Sequence, residues 1–546
     1  MPAPLIPGQD ADNGPSMEST YFLDQLITCS AGRTPTRVAL TSGVSSLDYA
    51  TLAQSVSAFA AGMGQLGIGR QERIGIYLEK RPETVIASFG ASAAGAVFVP
   101  LNPLLKPEQV GYILRDCNVR VLVTSPERLA LLSDVLKQCH DLRRVVVTGG
   151  NKDASEQSAL DGIATTIWDD LLAAPPRPGH RVIDTDMAAI LYTSGSTGQP
   201  KGVVLSHRNM VAGAKSVAGY LDNKADDTVL AALPLSFDAG FSQLTTAFHA
   251  GARAVLINYL LPRDVLKAVV EERITGLTAV PPLWIQMSQL NWPEAVTGHL
   301  RYIANTGGRM PLDTLKALRG HLPRTRAFLM YGLTEAFRST YLPPEEVERR
   351  PDSIGKAIPN AEILVLREDG TPCAPNEPGE LVHRGALVGM GYWNDPEKTA
   401  ERYKPIPGRE SGLVLPEIAV FSGDTVRMDE EGFLYFIGRR DEMIKSSGYR
   451  ISPTEIEEVF YGSELVGEVA AFGVPHPTLG QAVVVVATPK PERNVDAETL
   501  HAACRKRLPA YMQPARIDIR PGPLPRNPNG KIDRKSLSLQ FEAAFT

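Results

Sequence analysis

The residues best suited to chemistry lie in one segment, AILYTSGSTGQPKGVVLSH, over residues 189–207. An apolar run there is followed by small and hydroxyl-bearing residues and one lysine: Thr193, Ser194, Gly195, Ser196, Thr197, Gly198 and Lys201. Small residues expose consecutive backbone N–H groups, hydroxyls add donors and a lysine supplies positive charge, so the segment predicts a cradle for a polyphosphate such as a nucleoside triphosphate. Because Pro200 precedes Lys201, the pattern is not that of a Walker A loop. A flexible turn is the alternative interpretation.

Three later segments carry further candidates. In YGLTEA, Tyr331 follows an apolar strand and can stack on a purine, while Thr334 and Glu335 can hold a hydroxyl and a magnesium ion. Taken alone, such a hexapeptide is also typical of a strand end followed by a capped turn. Asp424 directly follows a glycine, which is typical of an acid in a turn. Lys531 ends the proline-rich loop in LPRNPNGKID, for which a solvated basic tail is the ordinary interpretation.

The elements that must position these residues follow two patterns. From residue 23 to about residue 305, amphipathic helical stretches alternate with short apolar strands such as RIGIYL, AVFVPL and VRVLVTS. Continuous Val/Ile/Leu strands between helices indicate an α/β body of largely parallel sheets covered on both faces. Beyond Asp352 the strands alternate with polar turns, as in AEILVLREDGTPCAPNEPGELVHRG, which predicts an antiparallel or barrel-like subdomain over about 352–440.

A new series of helices and strands begins after the charged, glycine-bounded segment GRRDEMIKSSG. A helix, two strands, another helix and a basic tail follow, and they make a compact α+β unit of about 100 residues, which is large enough to fold alone. The sequence therefore predicts a disordered tail over 1–16, an N-terminal domain over 17–440 that includes the barrel-like subdomain, and a small C-terminal domain over 441–546.

Composition and charge exclude several classes of function. The 546 residues include 56 Lys and Arg against 61 Asp and Glu, with no clustered positive charge of the kind a nucleic-acid partner requires. The five cysteines are scattered and never spaced as CxxC, so we expect neither disulfides nor a cysteine zinc site, and we expect a cytoplasmic location. Residues 84–101 are apolar but rich in Ala and Gly and followed by proline, which predicts a buried helix leading into a strand and no membrane span.

Taken together and in this order, the motifs resemble those of the adenylate-forming superfamily. This superfamily includes acyl-CoA and aryl-CoA ligases, the adenylation domains of nonribosomal peptide synthetases, and luciferases. The resemblance extends over about residues 20–537. The segments IKSSGYRISPTEIEEV and YGLTEA are similar to those of free-standing AMP-forming acyl-CoA ligases, and MYGLTEAFRSTYLPPE resembles bacterial acyl-CoA ligases associated with exosortase systems.

The resemblance implies a fold and a reaction. It implies a large N-terminal domain and a mobile C-terminal domain that rotates about a hinge at Asp441. It also implies activation of a carboxylic acid by ATP and Mg²⁺ to an acyl-AMP, with release of pyrophosphate, followed by transfer of the acyl group to coenzyme A. Neither step requires a side-chain nucleophile, which agrees with the absence of a GxSxG or HExxH pattern from the sequence.

The resemblance further implies roles for single residues. Lys531 would bridge the acid and the α-phosphate, with Thr193 and Glu335 as further catalytic residues and Glu335 as the magnesium ligand. Tyr331 would contact adenine and Asp424 the ribose hydroxyls. The nucleotide would be bound by Thr193, Ser194, Gly195, Ser196, Thr197, Gly198, Lys201, Gly307, Gly308, Arg309, Tyr331, Gly332, Thr334, Asp424 and Arg439. After adenylation, Lys445, Gly448 and Arg450 would approach a channel for the thiol.

By the same correspondence, a mostly apolar pocket would bind the acid. Its residues would be Phe237, Asp238, Phe241, Ala304, Asn305, Gly307, Met330, Gly332 and Phe337. Asp238 departs from the apolar pattern, and a buried lone carboxylate is costly unless it is paired. In amino-acid adenylation domains an Asp at this place pairs with the α-ammonium of the substrate, whereas in ligases for plain acids it can be a structural hydrogen-bond acceptor. Both interpretations of Asp238 stay open.

Two other functions remain as alternatives. One is adenylation of an amino acid and its loading onto a separate acyl or peptidyl carrier protein, since the pantetheine arm is common to carrier proteins and coenzyme A. The other is a nucleotide-binding module without catalysis. The presence of Lys531, Glu335 and the whole phosphate loop argues against the second alternative.

Overall fold

The computed structural model describes most of the chain. It covers residues 20–149, 163–193, 200–407, 415–440, 442–446, 449–491, 493, 495–505, 507–508, 510–527 and 530–545. The tail predicted over 1–16 and the hinge predicted at Asp441 lie outside these ranges. Both therefore stay predictions, as does the domain boundary.

Helices and strands alternate along most of the described chain. The strands are β1 (Val38–Ser42), β2 (Ser45–Asp48), β3 (Arg73–Tyr77), β4 (Val97–Pro100), β5 (Val119–Thr124), β6 (Arg144–Val147), β7 (Ala164–Ile167), β8 (Met187–Thr193), β9 (Lys201–Ser206), β10 (Thr228–Ala231), β11 (Arg253–Leu256), β12 (Gly276–Ala279), β13 (Tyr302–Asn305), β14 (Arg326–Tyr331), β15 (Thr340–Leu342), β16 (Lys356–Ala357), β17 (Ala361–Leu366), β18 (Gly379–Gly385), β19 (Tyr403–Pro405), β20 (Ile418–Met428), β21 (Leu434–Arg439), β22 (Ile444–Ser446), β23 (Tyr449–Ile451), β24 (Val466–His476), β25 (Gly480–Pro489) and β26 (Arg516–Ile519). The α-helices are α1 (Gln25–Arg33), α2 (Tyr49–Gln65), α3 (Pro82–Ala94), α4 (Pro107–Asp116), α5 (Pro126–Leu136), α6 (Trp168–Leu172), α7 (His207–Tyr220), α8 (Asp238–Ala250), α9 (Pro262–Glu271), α10 (Pro281–Met287), α11 (Leu312–His321), α12 (Pro396–Arg402), α13 (Pro453–Tyr461), α14 (Ala497–Arg505) and α15 (Arg534–Leu539).

Two largely parallel sheets form the N-terminal body. One contains seven of the described strands in the order β7-β6-β5-β3-β4-β8-β9, and only its β8–β9 pair is antiparallel. The other contains nine in the order β16-β15-β14-β13-β12-β10-β11-β1-β2, with antiparallel pairs at its two ends. The α/β body that the strand composition predicts is thus confirmed.

The largest apolar core lies between these two sheets, where α2, α3, α7 and α8 pack. A group of phenylalanines packs at its centre: the ring of Phe241 stacks on Phe89 at 5.6 Å and on Phe98 at 4.8 Å between centroids. Further clusters fill the opposite face of each sheet, under α9–α11 and under α4 and α5. Each sheet is therefore covered on both faces, which explains its uninterrupted apolar strands.

The apolar stretch 84–101 forms a helix followed by a strand, as the sequence predicts. Pro82 begins α3, Gly95 ends it in the left-handed conformation at φ 77°, and β4 follows two residues later. A glycine adopts that conformation without the steric penalty that a side chain would bring. No helix in the described part of the chain is long and apolar enough to cross a membrane.

Two antiparallel units complete the fold. Strands β17–β21 form a five-stranded antiparallel sheet with β20 at its centre, which confirms the barrel-like subdomain. Strands β22–β26 form a separate sheet in which β26 alone pairs in parallel, and α13 and α14 pack on it around Ile456 and Leu500. This second unit is the small α+β unit expected at the C-terminal end.

Three histidines buried in the fold predict a loss of stability in acid. Burial lowers the pKa of His207, His249 and His383 to about 4. In the unfolded chain each histidine binds its proton near the ordinary histidine pKa of about 6.5. The free energy of unfolding should therefore fall as the pH drops from about 6.5 to about 4, by up to about 3 kcal/mol for each histidine.

The apparent melting temperature, measured from pH 7.5 to pH 4, tests this expectation. The His383→Asn variant should show a shallower decline than the parent, whereas His140→Gln, at an exposed histidine, should follow the parent curve. Identical slopes for all three proteins would contradict the assignment.

Candidate active site

The candidate residues collect where strands of the two sheets end. Gly307, Gly308 and Arg309 follow β13, and Tyr331 ends the neighbouring parallel strand β14. Because ligands bind outside the carboxyl ends of parallel strands, this edge is the expected place for a site. A Cβ atom at Gly308 would lie 3.1 Å from Pro281, and one at Gly332 would lie 3.2 Å from the backbone of Arg338, so both glycines permit tight packing around the site.

The phosphate loop is bounded by two paired residues. Thr193 at the end of β8 faces Lys201 at the start of β9, and the Thr193 hydroxyl donates to the Lys201 carbonyl at 3.5 Å. Ser194, Gly195, Ser196, Thr197 and Gly198 lie outside the described residues. The antiparallel β8–β9 pair fixes both ends of this segment.

A tyrosine that no sequence motif indicated connects this loop with Glu335. The hydroxyl of Tyr392 donates to Oε1 of Glu335 at 2.6 Å, and Nζ of Lys201 lies 5.6 Å from the centre of the Tyr392 ring. Burial, and then the charge of Glu335, raise the pKa of the Tyr392 hydroxyl, so it remains a donor. Tyr392 therefore orients the carboxylate that the sequence assigns to magnesium.

Asp424 forms the centre of a polar group at the end of β14. Its Oδ2 accepts a hydrogen bond of 2.5 Å from the hydroxyl of Tyr331, and its Oδ1 lies 3.2 Å from Nε of Arg439, its neighbour in the β20–β21 register. Burial raises the pKa of Asp424, and the charge of Arg439 opposes that rise. Oδ1 is buried and accepts no hydrogen bond from the described residues, which leaves an acceptor for a ligand hydroxyl.

Lys531 reaches this edge from the C-terminal unit. A Cβ atom built on Gly307, whose φ is 75°, would lie 3.8 Å from Cε of Lys531. The residue retains contact with solvent, yet loss of water around its ammonium, followed by repulsion from Arg439, lowers its pKa, while Asp238 and Asp424 oppose that shift. The lysine is thus held over a glycine and attracted by two carboxylates.

Arg309 joins the two parts of the chain at the same edge. It forms an ion pair with Glu458 of α13, and both side chains are partly buried. Burial raises the pKa of Glu458, and the positive charge of Arg309 opposes that rise. The contact holds the C-terminal unit in the orientation that places Lys531 over Gly307.

Asp238 has an internal cationic partner. Its Oδ2 lies 2.8 Å from Nη1 of Arg338, a side chain with only 2% of its surface exposed, and its Oδ1 accepts from the hydroxyl of Thr334 at 3.3 Å. No sequence motif indicated Arg338. Two features could have indicated it. Arg338 directly follows the YGLTEAF segment, and a buried Asp238 is expected to need a cation.

The residues predicted to line the acid pocket are divided between the site and the core. Met330 lines an internal cavity, and Asn305 donates from Nδ2 to the carbonyl of Gly308 at 2.8 Å while its Oδ1 has no partner among the described residues. Phe237 precedes α8 and is half-buried, and the Ala304 carbonyl accepts from Trp284 at 3.3 Å.

Phe241 and Phe337 are both placed in the core of the fold, and their role at the acid pocket stays a prediction. Phe241 is fully buried in the phenylalanine core between the sheets. Phe337 is also fully buried, and a Cβ atom on Gly213 of α7 would come within 2.3 Å of its ring. Their apolar character therefore serves the packing of α7 and α8, and neither ring lines the cavity that Met330 reaches.

The residues predicted for the hinge and the thiol channel can be placed only in part. Asp441 and Gly448 lie outside the described residues, and for Lys445 and Arg450 only the backbone is described: they pair in the β22–β23 register. Their roles stay predictions.

The arrangement fits a magnesium nucleotide. Glu335, whose carboxylate is oriented by Tyr392, would hold Mg²⁺ together with phosphate oxygens. Oδ1 of Asp424, which accepts no hydrogen bond from the described residues, suits a ribose hydroxyl. Lys531 and Lys201 supply positive charge on either side, and their side chains can interact with oxygens that become more negative during phosphoryl transfer.

Comparisons with known proteins agree with this geometry. The sequence pattern described as AMP-binding enzyme matches residues 28–393, and that described as AMP-binding enzyme C-terminal domain matches residues 455–531. Feruloyl-CoA synthase from Amycolatopsis sp is 30% identical over 516 residues, which cover 94% of this chain and 97% of that protein. Long-chain-fatty-acid–CoA ligase from Bacillus subtilis is 28% identical over 546 residues and covers 94% of each chain.

A solved structure is similar over nearly the whole length. The o-succinylbenzoate CoA synthetase from Bacillus subtilis, in complex with its acyl-adenylate intermediate, superposes with a TM-score of 0.77 at 26% identity. The match covers 94% of this chain and 97% of that chain. The two N-terminal sheets, the barrel-like unit and the C-terminal unit are therefore all parts of one known architecture.

Proposed function

The chain belongs to the family of AMP-binding enzymes, and from this membership and the site geometry we propose that it is an AMP-forming acyl-CoA ligase. It uses ATP and Mg²⁺ to convert a carboxylic acid into an acyl-AMP and then forms the thioester of coenzyme A. The membership confirms the resemblance to the adenylate-forming superfamily inferred from the sequence. The narrower likeness to exosortase-associated ligases stays a prediction.

The first half reaction requires positive charge at the α-phosphate. A carboxylate oxygen of the acid attacks the α-phosphorus of ATP, a P–O bond forms, and the bond to the pyrophosphate oxygen breaks. Lys531, placed over Gly307, stabilises the negative charge that develops between the acid and the α-phosphate. Mg²⁺, when bound, neutralises charge on the leaving pyrophosphate, and Tyr392 holds Glu335 in position for it.

The second half reaction replaces AMP by a thiol. The thiol of coenzyme A loses its proton to solvent or to the departing AMP, its sulfur forms a C–S bond with the carbonyl carbon, and the C–O bond to AMP breaks. Lys531 has no α-phosphate to activate in this step, so the C-terminal unit is free to leave the orientation that the Arg309–Glu458 pair supports. Rotation about Asp441, with Lys445, Gly448 and Arg450 at the thiol channel, is the expected consequence.

The single observation that carries the proposal is the convergence of Lys531 and Asp424 at one strand edge. Lys531 comes from the C-terminal unit and Asp424 from the barrel-like unit, yet both face the end of β14. A fold that served packing alone would have no need to place a lysine against Gly307 near the carboxylates of Asp238 and Asp424.

The state of Asp238 favours an acid without an α-amino group. Its carboxylate is already paired with Arg338 and accepts from Thr334, so an ammonium would compete with a built-in cation. Amino-acid loading onto a separate carrier protein is therefore the less favoured function.

All five cysteines are free thiols, which supports the expected cytoplasmic location.

ATP-pyrophosphate exchange with a panel of acids tests the proposal. The panel contains aliphatic, aromatic and amino acids, and each reaction is repeated with coenzyme A while the thioester is measured by mass spectrometry. We expect exchange with at least one acid that lacks an amino group, and formation of its CoA thioester. Exchange with an amino acid alone, or no exchange with any acid, would refute the assignment.

A further inference from the structure

Lys531 lies in a short loop between Arg526 and Ile532, whose backbones pair in an isolated antiparallel bridge. Asn527 binds both polar groups of the Lys531 backbone. Its N–H donates to the Lys531 carbonyl at 2.8 Å, and its Oδ1 accepts from the Lys531 N–H at 3.1 Å. The backbone of the lysine is therefore fixed relative to the start of the loop.

Arg526 fastens this loop to the sheet of the C-terminal unit. Its Nη2 forms an ion pair with Glu468 of β24, and its Nη1 donates to the carbonyl of Gly530 at 2.7 Å. Gly530 directly precedes Lys531 in the chain. One guanidinium group thus bridges a strand of the sheet and the residue next to the lysine, which requires the planar fork of an arginine.

The carboxylate of Glu468 is itself held at two points. Its Oε2 accepts from the Leu524 N–H at 2.6 Å, just before the loop begins, while its Oε1 pairs with Arg526. The exposed fraction is 16% for the Glu468 side chain and 25% for that of Arg526. Water screens such a pair less than it screens an ion pair on the open surface, so the anchor of the loop is well defined.

A second ion pair fixes the chain just beyond the loop. Nη2 of Arg534, at the start of α15, lies 2.7 Å from Oε2 of Glu457 in α13. The partners in both ion pairs belong to the C-terminal unit. When that unit rotates, the loop can therefore move with it and keep its shape, so these contacts set the place of Lys531 within the unit.

We propose that Arg526 is a positioning residue for adenylation: by bridging Glu468 and the Gly530 carbonyl, it holds the Lys531 ammonium where charge develops on the α-phosphate. This inference rests on the proposed function, because Arg526 acts through the lysine that serves the first half reaction. A displacement of about 1 Å can cost about 10²-fold in the rate of such a step.

The variant Arg526→Met tests this role in the full-length protein. ATP-pyrophosphate exchange is measured with an acid that the parent protein accepts, and thioester formation is measured from the corresponding acyl-adenylate, supplied ready-made. We expect exchange to fall by about 30-fold and thioester formation to stay within about threefold of the parent rate. An arginine that only stabilised the C-terminal unit would affect both half reactions, because that unit takes part in both.

Two further variants identify the contact. Arg526→Lys keeps a positive charge beside Glu468 but lacks the fork that also reaches Gly530, so exchange should still fall by at least about tenfold. Arg520→Met is the matched control. Arg520 belongs to the same unit and pairs with Asp518 at 2.6 Å, outside the loop, and its replacement should leave both half reactions unchanged.

A double variant tests whether Arg526 acts through Lys531. If it does, adding Arg526→Met to Lys531→Ala should lower exchange by no more than about a further twofold, since the group being positioned is already gone. A further loss as large as that of Arg526→Met alone would mean that the two residues act independently, and would overturn the inference.

The remaining outcomes separate this inference from the proposed function. Exchange at the parent rate in Arg526→Met or Arg526→Lys, or equal losses in both half reactions, would overturn the inference and leave the ligase assignment intact. Failure of the parent protein to support exchange with any acid would overturn both. If Arg526→Met does not fold, Arg526→Lys, alone and combined with Lys531→Ala, gives the same decision.

Discussion

Replacing Lys531 by alanine should lower acid-dependent ATP-pyrophosphate exchange by about 10³-fold, while thioester formation from a supplied acyl-adenylate should remain within about threefold of the parent rate. The reason is the position of the Lys531 side chain. Lys531 projects over Gly307 toward Asp238 and Asp424, where only the first half reaction develops charge on an α-phosphate. Once acyl-AMP exists, the charge that developed during adenylation has left with pyrophosphate, and the second half reaction changes no bond at phosphorus.

A second lysine provides the control. Lys535 lies exposed in α15, in the same C-terminal unit, and Lys535→Ala should leave both half reactions unchanged. Comparable losses in both half reactions for Lys531→Ala would show that the lysine stabilises the fold or the domain contact, and would contradict its assignment to adenylation.

The fold class could be predicted from the sequence because it depends on the composition of single strands and turns. Short, mainly apolar strands between helices, such as β5 and β10, predict parallel sheets covered on both faces, and strands separated by polar turns, such as β17, predict the antiparallel unit. The order of the strands could not be predicted. The pairing of β1 with β11, for instance, joins residues that no periodicity relates.

The candidate site, like the fold, could be predicted from the sequence only in part. Tyr331, Glu335 and Lys531 belong to contiguous motifs, so their types and order were visible in the sequence. The residues that orient them were not. Tyr392 reaches Glu335 across 57 positions, and Arg338 reaches Asp238 across 100 positions, in contacts that exist only after the sheets have assembled.

Apolar residues near the motifs were the least predictable. Phe241 and Phe337 lie close in sequence to residues of the site, yet each ring packs into the core between the sheets. On a buried helix such as α8, successive side chains point about 100° apart, so one residue of a motif lines a cavity while another packs against Phe89. Sequence distance from a motif therefore says little about which side chain meets a ligand.

Replacing Glu335 by glutamine should lower ATP-pyrophosphate exchange by about 10²-fold at saturating Mg²⁺ and should raise the Mg²⁺ concentration needed for half-maximal rate. Glutamine keeps a side-chain oxygen that can accept the hydroxyl of Tyr392, so the hydrogen bond at 2.6 Å and the local packing can persist. What it removes is the negative charge, which a hard divalent cation requires of its few protein ligands.

The variant Tyr392→Phe separates charge from orientation. It leaves the Glu335 carboxylate and keeps an aromatic ring near Lys201, but it removes the hydroxyl that holds Oε1. We expect a loss of about tenfold or less, since one hydrogen bond is lost while the metal ligand remains. If Glu335→Gln were as active as the parent protein across a magnesium titration, Glu335 would not bind the metal. A Tyr392→Phe loss equal to that of Glu335→Gln would instead mean that orientation of the carboxylate, and not its charge, limits the adenylation step.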